Sequence, residues 1–219
     1  MEARQEIFDA IRSGDGARLA ALLATDPSLA NIRNERGHSP VLIAQYHHKG
    51  DLVRMLLATE PQLDIFDAAS VGRTARVAEL LDGDPALLAA YSPDGFFPLA
   101  LAAFFGHPET VALLLARGAD VTQATRNPMR LQALHSAVTA SFESVKLLVE
   151  AGAPVNAAQQ KGWTPLHEAV NRNDLEMTRY LLAHGADPRQ QNEEGKSAIG
   201  LAADKGLLEL LKVLKGASA

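Results

Sequence analysis

Gly162-Trp163-Thr164-Pro165-Leu166-His167-Glu168-Ala169, followed at a short distance by Leu181-Leu182-Ala183-His184-Gly185-Ala186-Asp187, is the stretch on which the reading of this chain turns. Weaker copies of it recur throughout. With the alanine as anchor, the series runs Ala10, Ala44, Ala68, Ala102, Ala137, Ala169 and Ala202, in steps of 34, 24, 34, 35, 32 and 33 residues. Each anchor is followed by a second apolar segment that ends in a leucine pair: Leu22-Leu23, Leu56-Leu57, Leu80-Leu81, Leu114-Leu115, Leu147-Leu148, Leu181-Leu182 and Leu210-Leu211. A fixed period of this length is the mark of a stacked repeat, and each unit reads as two short helices. In the later units Gly118, Gly152 and Gly185 stand where the second helix should stop, because glycine takes positive φ without steric cost. The first and third units stop instead at Asp26-Pro27 and Asp84-Pro85, where proline denies the helix its next donor.

The T-P-L-H-x-A signature, intact at Thr164 to Ala169, and the Gly-Ala-Asp turns at 118–120 and 185–187 resemble the ankyrin repeat family over nearly the whole chain. Degenerate copies stand at Ser39 to Ala44, Phe97 to Ala102 and Ser197 to Ala202, and Leu134-His135-Ser136-Ala137 keeps the second half. The expected fold is therefore all-α, an ankyrin-repeat solenoid of about seven helix-turn-helix units with short β-turn fingers. It is one array over residues 1–219, with approximate units 1–33, 34–60, 61–91, 92–126, 127–158, 159–191 and 192–219. A unit of this kind cannot cover its own apolar face, so its stability comes from its neighbours. Polar ends are then needed, and Arg4, Gln5 and Arg12 suit one while Lys205, Glu209, Lys212 and Lys215 suit the other.

Residues 7–44 also match 65–102 at a constant offset of 58, through Ile7/Ile65, Phe8/Phe66, Asp9/Asp67, Gly14/Gly72, Leu22/Leu80, Pro27/Pro85, Gly37/Gly95 and Pro40/Pro98. The N-terminal half reads as a duplicated two-unit block. At its joint Ala68 follows Leu57 after only eleven residues, so the finger of the third unit is missing. A seam is predicted there, opening more easily than the joint between units five and six. The fifth unit is unusual in two ways: its finger, Arg126-Asn127-Pro128-Met129-Arg130, lacks the usual glycine, and one residue is lost between its helices near Ser141.

Composition narrows the function. Hydrophobic residues make up 47% of the chain, which supports a core without disulfides or metals. Cysteine is absent, so thiol nucleophiles and thiolate metal sites are excluded and a reducing cytoplasm is the expected compartment. A net charge of -5 gives no basic field for nucleic acid, and no window approaches the roughly 18 apolar residues of a membrane span. Met1 to Glu6 has no apolar run of the kind that directs export.

No catalytic constellation is visible. His135 and His167 occupy the signature histidine slot, whose expected role is to tie neighbouring units by hydrogen bonds. His47 and His48 point about 100° apart on a helix and do not chelate one ion. Gly195-Lys196-Ser197 resembles the end of a phosphate loop, but Gln190 replaces its first glycine. Glu193-Glu194 reads as a solvated turn. The expectation is a non-catalytic protein-protein interaction module, an adaptor, scaffold or inhibitor, with no cofactor and no metal, monomeric, binding an unidentified partner protein. The alternative is a ligand-regulated or enzymatic protein with a small-molecule site in the same groove.

The resemblance implies that first helices and finger tips line that groove. Tyr46 and His47, and correspondingly Phe104 and Phe105, fall just after the first-helix alanine, in slots that the helix core does not need. Phe96, Leu131 and Trp163 precede the T-P positions of units four to six and are expected to form an apolar row along three fingers, a feature of binding surfaces. Met129 with its flanking arginines, and Arg172, complete the candidates. Packing of these rings against the next finger is the competing reading.

Overall fold

The computed structural model describes residues 2–217, and among these there is no β-strand. Fourteen α-helices follow one another in seven pairs. They are α1 (Glu2–Ser13) with α2 (Gly16–Thr25), α3 (Pro40–Tyr46) with α4 (Gly50–Leu57), α5 (Ile65–Ser70) with α6 (Thr74–Gly83), and α7 (Pro98–Phe104) with α8 (Pro108–Ala116). Then come α9 (Ala133–Val138) with α10 (Phe142–Glu150), α11 (Pro165–Asn171) with α12 (Leu175–Ala183), and α13 (Ala198–Asp204) with α14 (Leu208–Gly216). Local chemistry sets many of the starts. Asp15, Ser39, Asp64, Ser141, Thr164, Asp174 and Ser197 each accept a hydrogen bond from a first-turn backbone N–H, and Pro40, Pro98, Pro108 and Pro165 sit where the helix needs no donor.

The first helices stack in order, α1 on α3 and so on to α13. All seven anchor alanines are buried at this interface, where a methyl group is small enough to let successive helices approach. Of each leucine pair one member is buried in the core and the other is half-buried at its edge. Burial of one such leucine contributes about 1.5–3 kcal/mol. The helix stops follow local rules too: Gly118, Gly152 and Gly185 lie at φ 86°, 88° and 88°. Asp26 and Asp84 share nearly identical backbone angles, each accepts from the N–H two residues on, and each opens a short 3-10 helix, so the duplicated blocks fold alike.

Fingers project between pairs, each closed at its base by a backbone hydrogen bond: Asn34 N to His38 O, Ser92 N to Phe96 O, Thr125 N to Leu131 O, Gln159 N to Trp163 O and Asn192 N to Lys196 O, at 2.7–2.9 Å. Fingers of pairs four to seven are joined in a row by Arg126 N to Gly95 O (2.8 Å), Gln160 N to Met129 O (3.0 Å) and Glu193 N to Lys161 O (3.0 Å). The third pair has no finger; α4 runs through residues 58–64 straight into α5. Polar groups span the joint instead. Arg33 reaches Asp64 (2.8 Å) and Asp67 (3.0 Å), Ser39 Oγ donates to Asp67, Gln62 N donates to Asn31 Oδ1 (2.6 Å), and the Ser70 carbonyl accepts from both Gln45 (2.7 Å) and His107 (2.9 Å).

In the second-helix layer this seam and the joint of pairs five and six resemble each other. There α4 and α6 approach less closely than α2 and α4 do, but so do α10 and α12. Pair five also differs from the others in its link. In the other six pairs the link between helices carries one left-handed residue, Gly14, His48, Gly72, Gly106, Asn173 or Gly206. In pair five the corresponding Ser141 is extended, at φ -151°, and α9 is only six residues long. The wider gap beside α10 is filled by Phe142 edge-on to Tyr180, 5.3 Å between centroids.

Candidate functional site

With the third finger missing, the second finger meets the fourth directly. Tyr46 Oη donates to Asp94 Oδ2 at 2.7 Å, and His38 Nε2 lies 3.6 Å from Asp94 Oδ1. Burial alone would raise the Asp94 carboxyl, yet the nearby His38 imidazole and hydrogen bonds from Ser92 and Tyr46 outweigh it and hold the group at about 2. Burial and that carboxylate push the Tyr46 phenol well above its ordinary range. Tyr46 also packs on Phe105 (5.8 Å) and Phe96 (6.3 Å), Phe96 on Phe104 (6.3 Å), and Phe104 edge-on to Phe105 (5.0 Å).

Four candidate residues are thus one ring cluster. The expected exposed row of Phe96, Leu131 and Trp163 is not what folds: Phe96 is 6% exposed, because the short joint brings Tyr46 against it. Leu131 and Trp163 are half-buried. His47 is exposed and borders an open hollow of about 600 Å³ with Arg12, Arg36, His38 and Tyr46.

A second cleft, of about 350 Å³, lies between fingers five and six and the first helix of pair six. It unites Met129 and Trp163 with Gln159, Gln160, Lys161, Glu168 and Asn171. Met129 is 42% exposed, and Leu208 near the C-terminal end is the other large apolar side chain so exposed among the described residues. The tips of both fingers are held together by Gln160 N to Met129 O, so the backbones that carry the two apolar side chains are joined. Burial raises the Glu168 carboxyl, and the nearby charges of Arg172 and Lys205 oppose that rise. Arg172 follows Asn171 at the exposed C-terminal end of α11. Glu168 was not singled out in the sequence; its signal was a carboxylate one residue before the anchor alanine, on the helix face that fingers cover.

His135 and His167 serve structure. Gln132 N–H donates to His135 Nδ1 (3.2 Å) and Thr164 N–H to His167 Nδ1 (3.1 Å), which leaves the proton on Nε2. His135 Nε2 donates to the Ala157 carbonyl (2.9 Å), at the end of its own unit just before the sixth finger, and His167 Nε2 donates to the Lys196 carbonyl (3.1 Å) in the following unit. Burial lowers both imidazoles from their ordinary 6.5. A larger hollow of about 780 Å³ lies on the third pair, between Pro61–Leu63 and Gly72–Arg76, and contains none of the candidates. No helix is long and apolar enough to cross a membrane among the described residues.

A family model described as ankyrin repeats (three copies) matches residues 7–159 and again residues 134–219. The chain is 31% identical over 231 residues to the nuclear factor NF-kappa-B p105 subunit of Gallus gallus, covering 97% of this chain and 23% of that protein. It is 40% identical over 101 residues to protein phosphatase 1 regulatory subunit 27 of Homo sapiens, covering 46% of this chain and 65% of that one. It is 43% identical over 101 residues to the B-cell lymphoma 3 protein homolog of Mus musculus, covering 45% and 22%. The chain spans less than two thirds of the length of each of these relatives.

Proposed function

Since the chain belongs to the ankyrin repeat family, we propose that it is a non-catalytic adaptor, scaffold or inhibitor, one array over residues 1–219, which holds a partner protein between its fingers and first helices. The observation that carries this reading is the cleft where Met129 and Trp163, from adjacent fingers locked by a backbone hydrogen bond, present apolar surface beside exposed Arg172. Large apolar side chains that the core does not need, held rigid and ringed by polar groups, are what interface centres are built from. Two relatives support the same direction by name, one as a subunit and one as a regulatory subunit. The lack of cysteine supports a reducing compartment such as the cytoplasm.

In this reading the ring cluster of Tyr46, Phe96, Phe104 and Phe105 is the stiff wall of the groove, with His47 and Leu131 at its margins. Capture from lysate by wild type, Trp163→Ala and Met129→Ala, with the retained proteins identified by mass spectrometry, tests it. A specific protein lost with both variants while their melting curves stay near wild type is the expected result. Undiminished capture by both would remove the cleft from the function.

A further inference from the structure

The charges around this cleft are not those of the chain as a whole. The net charge is -5, yet residues 1–126 carry 11 Lys and Arg against 16 Asp and Glu, while residues 127–219 carry 10 of each. Near Met129 and Trp163 four cations stand against Glu168 and the Glu193-Glu194 pair. Lys161 lines the cleft, Arg130 follows Met129, Arg172 follows Asn171, and Lys205 Nζ donates to the Asn171 carbonyl at 2.9 Å and to its side-chain oxygen. Glu168 is the one carboxylate lining the cleft, and Arg172 and Lys205 already face it. Arg130, Lys161 and Arg172 have no ion-pair partner among the described residues. The acidic pair Glu193-Glu194 stands on finger seven and bounds the patch on its C-terminal side.

The backbone adds a second observation. Arg130 holds φ 50° where fingers two, four and seven have Gly37, Gly95 and Gly195, and Lys161 holds φ 63° ahead of Gly162. A left-handed non-glycine residue costs about 1 kcal/mol or more. Here two adjacent fingers accept that cost, and each places a cation there. His48, Glu60 and Asn173 also hold this conformation, and what sets Arg130 and Lys161 apart is that they stand on the two fingers that form the cleft.

We propose that this cleft receives a short acidic peptide segment of the partner, an apolar side chain seated between Met129 and Trp163 and carboxylates on either side meeting Arg130, Lys161, Arg172 and Lys205. It rests on the groove reading above and narrows its ligand. The apolar anchor supplies affinity through burial, and the cations supply selectivity and orientation, since complementary charge at an interface rim chooses partners more than it tightens them.

Trp163 is the single tryptophan of the chain, so its fluorescence reports this cleft alone. The intact protein is titrated with a capped peptide Glu-Asp-Glu-Leu-Asp-Glu-Asp, with its counterpart in which lysine and arginine replace the acids, with a counterpart carrying glycine for leucine, and with oligothymidylate. A saturable shift with the acidic leucine peptide, weakened by salt, is the expected result. Replacing leucine by glycine weakens it, and Lys161→Glu combined with Arg172→Glu weakens it roughly tenfold without changing the melting curve. Equal or tighter binding of the basic peptide, no saturation by any peptide up to millimolar concentration, or tighter binding of the oligonucleotide overturns the proposal. If the lysate experiment still shows partner loss with Trp163→Ala, the groove reading stands and only the acidic ligand fails.

Discussion

Phe105 and Trp163 occupy slots that the repeat pattern leaves free, yet their surroundings differ. Phe105 packs on Tyr46 and Phe104, whereas Trp163 has the His167 ring beside it at 5.7 Å, its one ring contact among the described residues, and lines the cleft. Phe105→Ala is expected to cost about 2–3 kcal/mol, below the range for a fully buried ring, and Trp163→Ala about 1 kcal/mol or less; urea unfolding of both variants checks this. Equal losses would place Trp163 in the core. The histidines give a pH prediction. Burial holds His135 and His167 below 6.5, so the fold favours the neutral ring. That stability is fully present above the unfolded value and is lost as pH falls below 6.5 toward the depressed folded values. Unfolding midpoints at about pH 7.5 and about pH 5 should differ in that direction, and His135→Gln with His167→Gln should shrink the difference.

Among the elements, the finger of pair five and the joint after pair two stand out. Arg130→Gly removes a left-handed arginine and is expected to stabilise the fold by about 1 kcal/mol, read as a raised Tm; an unchanged or lower Tm would show that the Arg130 side chain repays its strain within the free protein. At the joint, Asp67 is 2% exposed and burial raises its carboxyl, with Arg33 and Ser39 as the hydrogen-bonding groups that oppose the rise. Arg33→Ala leaves a buried carboxylate short of a partner. The expected cost is about 1.5–3 kcal/mol, because hydrogen bonds to charged groups are the strong ones. The loss should be larger than for Arg54→Ala, whose ion pair with Asp51 is exposed on both sides.

For the whole molecule, stability is nearly a sum over neighbours, so weak joints divide it into blocks. The second-helix layer is looser at α4/α6 and at α10/α12 than at α6/α8 or α8/α10. Amide exchange should therefore show lower protection in α4 and α12 than in α7 and α9, whose mutual packing is extensive. Uniform protection from α3 to α12 would contradict this division. The middle block, pairs three to five, then behaves as one unit, and it supplies the fifth finger to the cleft while pair six supplies the sixth. A partner spanning both tightens the α10/α12 joint, and the same exchange experiment repeated with ligand reads that gain.

The sequence by itself determined the repeat, because period, anchor alanines, leucine pairs and helix stops are each a local choice between neighbours in the chain. It also located the irregularities at residues 58–64 and near Ser141, since a missing residue is a matter of counting. Only the tertiary structure decided what those gaps do. With one finger missing, Asp94 meets Tyr46 and His38, and Tyr46, Phe96, Phe104 and Phe105 pack ring on ring, Phe96 buried and the other three half-buried. That outcome depends on distances between units 48 residues apart in sequence, such as Tyr46 to Asp94. The pairing of Met129 with Trp163 has the same origin: each stands at its own finger tip, and one hydrogen bond across the fingers, Gln160 N to Met129 O, makes a single cleft of them.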